Sequence, residues 1–315
     1  MSGVFVGLCT LDVIQSVARV PGENEKVTAL RQTVAAGGPA TNAAVTFAHL
    51  GGEAVLWTGI GRHPLTAGIR ADLDACGVRV HDLAAAQDGP PAVSSILVTA
   101  GTGARAVIST NAGSAHLVPP NDFDLDGVTA LQVDGHHPAL AEVALRAARR
   151  HGIPTVMDAG SWKHGTARLL PLIDVVACSA DFRVPGGGPV EEGLDVPWIV
   201  ITAGGEPIRW WGPGGASGEV AVEQTSVVDT LGAGDVFHGA LTHAIATLPG
   251  TTLPGTGLPG APGRMPREGA GPALLTPDNF PALLARAAHT ASRACAHFGT
   301  RTWMHHTDTW MTGAV

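Results

Sequence analysis

Short apolar, β-branched runs alternate with alanine-rich stretches along most of this chain. That rhythm is the signature of strand–helix–strand units and a parallel sheet. The spacing predicts strands at 4–7, 54–58, 130–133, 155–157, 175–177 and 198–202, with helices over 41–50, 64–76 and 138–151. Glycines at 51–52 and 77 stop the first two helices, and the alanines of 139–148 favour the third strongly.

Two stretches break the rhythm. Residues 13–35 and 93–110 carry β-rich segments with alternating polar positions and no helix between them, as in 26–34 and 94–99. Alternation leaves one face wet, so these strands are expected to form a small antiparallel sheet outside the main core, hinged as a lid over a cleft. An exposed sheet edge offers unpaired amides, which makes pairing of two lids into a homodimer the expected assembly. In 249–277, 14 of 29 residues are Gly or Pro, too many for a helix or a strand ladder, so this segment reads as a flexible insertion between two helices. The helix after it has good punctuation: Asp278 or Asn279 as cap, Pro281 in the first turn and Gly299 at the end.

With 45% apolar residues, the 315-residue chain can bury one large core, and despite 42 Gly and 23 Pro it is neither disordered nor collagenous. The formal charge of −8 repels phosphate backbones and anionic leaflets, so neither nucleic acid nor a membrane is an expected partner. Small anions stay open, because helix N-termini bind them without net positive charge. The N-terminus has no basic region and reaches a carboxylate at Asp12, so it reads as a strand, not a secretory signal, and no run of about 18 apolar residues occurs. Cys9, Cys76, Cys178 and Cys295 are far apart with no CxxC pair. Reduced thiols in a cytoplasm fit that pattern better than zinc or a disulfide framework.

The segment 227–241 (Val-Val-Asp-Thr-Leu-Gly-Ala-Gly-Asp-Val-Phe-His-Gly-Ala-Leu) carries the chemistry. It predicts a strand ending at Asp229, a tight turn, and a helix beginning near Ala233. Backbone N–H groups at a helix start have no intrahelical partner and bind anions, and Gly232, Ala233 and Gly234 put no bulk in the way of a phosphate. Asp235 falls in the first helical turn. An anion cradle beside a carboxylate is what phosphoryl transfer to a hydroxyl needs. Spacing alone leaves a plain turn with small residues as an equal alternative.

The segment resembles the C-terminal signature of the ribokinase-like (PfkB-type) carbohydrate kinases, DTxGAGD, with matches at Asp229, Thr230, Gly232, Ala233, Gly234 and Asp235. Four further stretches follow the family's order: Gly7 to Asp12, the 37–42 run of two glycines and a later Asn42, Asp134 after a central strand, and Thr202-Ala203-Gly204-Gly205. The resemblance implies a three-layer parallel-sheet α/β fold with a small β lid, and ATP with Mg2+ as cofactors. It makes Asp235 the catalytic base, and the amides of Gly232, Ala233 and Gly234 the anion hole. Asp12, Gly38, Asn42 and Asp134 become ligands of a small sugar's hydroxyls. Thr202, Gly204, Gly205 and Thr230 fall to the ATP cleft, with Ala288 to Ser292 facing the adenine. Asp229 and the carbonyl of Leu231 stand where some relatives hold a monovalent cation such as K+.

Several positions depart from the family pattern. His136 replaces the Arg of a DGRHP string, removing a fixed fork for an anionic substituent. An NxxE string that many relatives use around magnesium is replaced by Ser179-Ala180-Asp181-Phe182, leaving Asp181 to act through water. Asp12 alone reads equally as a turn residue, Gly37-Gly38 as a bend and Asn42 as a helix cap. His136-His137 lacks a third metal ligand at useful spacing, and His305-His306 between Trp303 and Trp310 reads as surface tail. A nucleoside kinase and a sugar- or nucleotide-binding regulator without catalysis are the rival readings. A NAD dehydrogenase fails for want of GxGxxG after the first strand, and a Walker-type NTPase for want of Gly-Lys-Ser/Thr.

Overall fold

The computed structural model describes residues 1–112, 117–249 and 275–305. Nearly all of the Gly/Pro-rich insertion, with His306 and Trp310, lies outside the described residues. In chain order the strands are β1 (Ser2–Val6), β2 (Thr10–Val17), β3 (Arg31–Gly37), β4 (Glu53–Thr58), β5 (Val78–Asp82), β6 (Ala92–Thr99), β7 (Arg105–Ser109), β8 (Val128–Val133), β9 (Thr155–Ala159), β10 (Val175–Ser179), β11 (Trp198–Ala203), β12 (Glu206–Trp211) and β13 (Ser217–Val220). The helices are α1 (Pro39–His49), α2 (Thr66–Ala75), α3 (Pro138–His151), the single turns α4 (Thr166–Leu169) and α5 (Val190–Gly193), then α6 (Ala233–Ala246) and α7 (Phe280–Cys295). Among the described residues no helix is long and apolar enough to cross a membrane.

Nine strands form one sheet in the order β13-β12-β11-β10-β9-β8-β1-β4-β5. The run from β11 to β5 is parallel, and β12 and β13 extend it antiparallel at one edge. Strands such as β8 and β10 are buried almost throughout because both faces are covered. The period of two sorts their side chains. Val4, Val6, Leu131 and Val133 pack with Leu140 and Leu145 of α3, while Phe5 turns to the opposite face against Phe47 of α1. Val176 and Cys178 follow the first group; Val175 and Ala177 face Phe237 and Leu241 of α6 and Leu284 of α7. Helix α3 opens on Pro138 and closes on the left-handed Gly152 (φ 68°), with Arg149, Arg150 and His151 meeting its negative end.

The second sheet has the order β3-β2-β6-β7, antiparallel at both edges and parallel between β2 and β6. Strand β3 begins at Arg31, not in the upper twenties. The register pairs Arg31 with Ser16, and β2 ends one residue later, so 26–29 have no strand to pair with. A second correction concerns 227–229, which form no strand. That segment lies beside α7, with the amides of Val228 and Asp229 both donating to the Cys295 carbonyl (2.8 and 3.2 Å). Asn279 stands at the start of α7, yet its side chain accepts from the Thr276 amide (2.9 Å) and so caps the preceding turn. The helix stops at Cys295, before Gly299.

Helices α1 and α6 cross so closely that a Cβ on Gly239 would lie 2.4 Å from the Ala43 carbonyl oxygen. This contact is backbone against backbone, so only glycine allows it. Gly239→Ala is expected to destabilise the protein by about 1–3 kcal/mol through overpacking, read as a lower urea midpoint at unchanged m-value.

Candidate active site

In an open parallel sheet, ligands bind at the carboxyl ends of the strands. Here Asp134 follows β8, Asp158 lies near the end of β9, and the charge of Asp158 acts on Asp235 in the first turn of α6. Gly232 takes a left-handed conformation (φ 72°) and starts α6. The first helical bond runs from the Val236 amide to the Gly232 carbonyl (2.8 Å). The Ala233 amide makes a long turn bond to the Thr230 carbonyl (3.3 Å), while the amides of Gly232, Gly234 and Asp235 have no hydrogen-bond partner among the described residues. Free amides at the positive end of a helix form an anion site.

Asp235 is half-buried beside these amides. Its Oδ2 accepts from Asn42 Nδ2 at 2.8 Å, a bond that the close α1–α6 crossing makes possible. Burial is the largest influence on its carboxyl and, with the charge of Asp158 and a smaller push from Asp12, raises its pKa to about 7; Asn42 and His238 pull the other way. A carboxyl poised there can accept a proton near neutrality. The Asn42 amide is itself held, since its Oδ1 accepts from Arg301 Nη1 at 3.1 Å. The Arg301 guanidinium also donates to the Ala36 carbonyl (2.7 Å), the Thr300 carbonyl (3.2 Å) and the Asp72 carboxylate of α2 (3.1 and 3.3 Å).

The four-stranded sheet lies against the turn before this tip through Thr230. Asp12 lies on its inner face, 5% exposed, accepting from the Thr10 hydroxyl (2.5 Å) and from Ser94, and burial raises its pKa. It packs against Gly37, where a Cβ would sit 1.9 Å from its Oδ2, and the turn continues through Gly38 at φ 99°. Thr230 latches the lid from below: its hydroxyl donates to the Gly103 carbonyl (3.0 Å) and accepts from Arg105 Nη1 (3.1 Å). Farther along, the Arg31 guanidinium stacks over Phe298 (4.4 Å).

The profile of the "pfkB family carbohydrate kinase" matches residues 2–305. The chain belongs to the pfkB family of carbohydrate kinases. Its fold is that of solved ribokinases and of an adenosine kinase. A ribokinase from Giardia lamblia has a TM-score of 0.74 at 15% identity, over 96% of each chain. An Arabidopsis thaliana ribokinase, solved with ribose and ATP, has 0.68 at 17%, over 97% of this chain and 99% of its own. The adenosine kinase of Sinorhizobium meliloti has 0.69 at 18%, over 95% of each.

Within this pfkB chain several expected site residues have other tasks. Asp134 is fully buried and accepts from the amides of Leu8 (2.8 Å), Ala40 (3.1 Å) and His136 (2.9 Å), so it clamps these three backbone segments together. Asp229 is 2% exposed, and its oxygens accept from the amides of Leu231 and Gly299 (both 2.9 Å). Ala288 is closed in the core with Phe280 and Leu284, and the Ser292 hydroxyl is bonded to the Glu223 carbonyl (3.2 Å), so neither is open to an adenine. Thr202 is half-buried with its hydroxyl on the Cys178 carbonyl (3.3 Å), while Gly204 and Gly205 are exposed on the β11–β12 turn. Asp181 is an exposed turn residue, and among the described residues no three His, Cys, Asp or Glu cluster as a metal site, His136 and His137 included.

The residues missed in the sequence are Arg301, Arg105, Asp158 and His238. No motif marks the first two, and only the lone charges beside glycine-rich turns hinted at them. Arg301→Lys keeps the charge but cannot span Asn42, Ala36 and Asp72 together. It is expected to lower kcat about 10- to 100-fold, the scale of a misplaced reacting group, with little change in KM for the acceptor. In an Asn42→Ala background the same substitution should add little, a steady-state double-mutant cycle being the measurement.

Proposed function

We propose that this chain is an ATP-dependent kinase that phosphorylates a hydroxyl of a small sugar. The observation that carries this reading is Asp235, an aspartate of raised pKa, beside free amides at the tip of α6 and beneath a latched lid. The acceptor hydroxyl donates its proton to Asp235 as its oxygen attacks the γ-phosphorus. The amides of Gly232, Gly234 and Asp235 meet the negative charge on the transferred group, and the ADP oxygen leaves opposite. The lid excludes water that would otherwise compete as acceptor. Thr202, Gly204 and Gly205 would border the nucleotide. Magnesium would come with the phosphates and keep most of its waters; Asp181 is the carboxylate available to those waters. Four free cysteines suit the cytoplasm, where ATP is found.

The acceptor is read as an uncharged sugar. Among the described residues, the cavity beside Leu8 and Cys9 is bordered by Gln87, Asn111, His137 and the glycines at 59 and 61; none of its described lining residues is a Lys or Arg that would bind an anionic substituent, or a Phe or Trp that would stack on a nucleobase, and Asp235 is not among them. An ATP-coupled screen of fructose, ribose, ketohexose relatives and adenosine tests this; turnover of adenosine alone would replace the sugar reading with a nucleoside kinase.

Asp235→Asn is expected to lower kcat by at least about 10²-fold, the range for losing a general base. Unchanged turnover would remove Asp235 as base. The same variant has a stability signature. With a folded pKa near 7 against an ordinary 3.8, the carboxyl takes up a proton on folding between those values. Stability therefore falls as pH rises through that window, and the whole penalty is present above it. Asp235→Asn should raise the melting temperature more at pH 8 than at pH 4.

The lid offers a surface for a second copy. Its outer face aligns Val34, Val13, Ser95 and Ile108 in one row, with Gln32, Gln15, Leu97 and Ala106 in the next, and none of these is charged. Ile108 is 78% and Val34 50% exposed. We expect a homodimer through this face, with Ile108→Asp sedimenting as a monomer; a monomeric unsubstituted protein at micromolar concentration would remove the interface.

A further inference from the structure

The cavity beside Leu8 and Cys9 holds a buried side chain whose polar atoms have no partner. It lies between the four-stranded sheet and the carboxyl ends of the parallel strands: Leu8 follows β1, Gly59 follows β4 and His137 follows β8, while Ala92 opens β6 and Asn111 follows β7. His137 is 9% exposed, and neither nitrogen of its ring has a hydrogen-bond partner among the described residues. The ring makes no capping bond to α3, although the residue stands at the start of that helix. Nδ1 of His238, 3.2 Å from Asp158 Oδ2, and Nε2 of His243 also lack a hydrogen bond, but both are sealed in the core. The His137 nitrogens are not sealed, and the ring borders open space. Buried polar groups are as a rule hydrogen-bonded, so this ring calls for a ligand.

The wall of the cavity is tied to the proposed base by two short contacts. The Leu8 carbonyl accepts from the Thr41 hydroxyl at 2.9 Å, and the next residue, Asn42, bonds Asp235 at 2.8 Å. The described lining has no Asp, Glu, Lys or Arg. Burial pushes the Cys9 thiol up to about 12. Burial is also the largest influence on the His137 ring and holds its pKa below the ordinary histidine value, with Asp134 pulling it up and His136 down. Both groups are therefore neutral at pH 7, and the ring offers one N–H and one lone pair. A hydroxyl, which both donates and accepts, can answer either. A carboxylate or phosphate could take only the N–H and would set its charge against the lone pair. Resting on the reading of Asp235 as the base, we infer that His137 is a specificity-determining residue that hydrogen-bonds an uncharged hydroxyl of the sugar, on the side away from the reacting one. A site built around such a bond rejects acceptors that lack the hydroxyl, because the buried ring is then left unpaired.

The test follows the ring nitrogens of His137 by NMR of the protein with isotope-labelled histidine, His137→Phe assigning the signals, as D-ribose, D-fructose or adenosine is added without ATP. The signals are expected to move and saturate with at least one of the two sugars. Signals that stay still with all three, or that move with adenosine alone, overturn the inference. In the coupled assay, His137→Phe keeps the shape of the ring without its nitrogens. It is expected to raise KM for the better sugar about 10- to 100-fold with kcat changed less than about twofold, the pattern for lost binding away from the reacting atoms. His137→Gln, which restores a donor and an acceptor, should recover most of that loss. An unchanged KM in the folded Phe variant, or a Gln variant no better than Phe, assigns the ring to packing and overturns the inference. Should the Phe variant be recovered unfolded, His137→Ala gives the same assignment and the same KM comparison. The binding readout needs no turnover. If the ring signals move with a sugar while no sugar or nucleoside is phosphorylated, the His137 contact stands and the kinase reading falls. If a sugar is phosphorylated while the signals stay still, only the contact falls.

Discussion

A carboxylate held among other carboxylates in an acidic chain must be given donors, and the site at the tip of α6 is arranged around that constraint. Asp235 feels the negative charges of Asp158 and Asp12, and burial adds to the cost of its ionised form. Against these stand one hydrogen bond from Asn42, the neighbouring His238, and its own position in the first turn of a helix, where the backbone dipole favours negative charge. The balance leaves the group near neutrality. A fully solvated aspartate would be a weak base at pH 7, and one without donors would stay protonated.

Each donor depends on backbone packing that only small residues permit. Asn42 reaches Asp235 because Gly239 lets α1 and α6 approach to backbone contact. Its amide faces the right way because Arg301 occupies its oxygen, and Arg301 is in turn fixed by Asp72 and the Ala36 carbonyl. The relay ties α2, the end of β3, α1 and the segment after α7 to one carboxyl. Asp134 performs the matching task on the other side of the turn, taking the Leu8 and Ala40 amides so that the glycine pair at 37–38 keeps its bend. Two of the carboxylates first read as ligands, Asp134 and Asp229, thus serve as clamps for backbone amides. Burial explains the arrangement: a carboxylate with almost no exposure needs hydrogen-bond donors, and backbone amides supply them.

The elements legible in the sequence are those whose apolar pattern has a single explanation. The doubly covered strands β1, β8, β9, β10 and β11 read as apolar runs, and α3 has proline and glycine at its ends. Strands β12 and β13 escaped notice because an edge strand carrying Glu206, Arg209 and glycine has neither a continuous run nor clean alternation. Residues 26–29 did alternate, and were read as strand, but a ladder needs a partner and β2 had ended. Within the site, DTxGAGD gave away Asp235 and the free amides, since small residues at a helix start have a local cause. Arg301 lies 259 residues from Asn42, and Asp158 lies 80 from His238. Pairings of that kind arise from topology, which brings β9, α1, α6 and the segment after α7 to one end of the sheet. Local spacing holds no record of them.

Thr230 joins the small sheet to the tip of α6 in a way that the signature's letters alone do not suggest. Its hydroxyl bonds the Gly103 carbonyl and the Arg105 guanidinium, and both partners sit at the β6–β7 end of the lid. The residue is two positions before Gly232, so any movement of the lid pulls on the turn that holds the free amides open. Coupling of this sort has a physical advantage for a group-transfer enzyme on the proposed reading. On that reading, the Thr230 contacts would hold amides and carboxyl at their working spacing while the sheet covers the site and excludes water. An open lid would leave Thr230 without either partner and the turn without its brace, so the charged phosphate would meet an unassembled cradle. Transfer to water is thereby opposed by the same two hydrogen bonds that prepare the site for an alcohol.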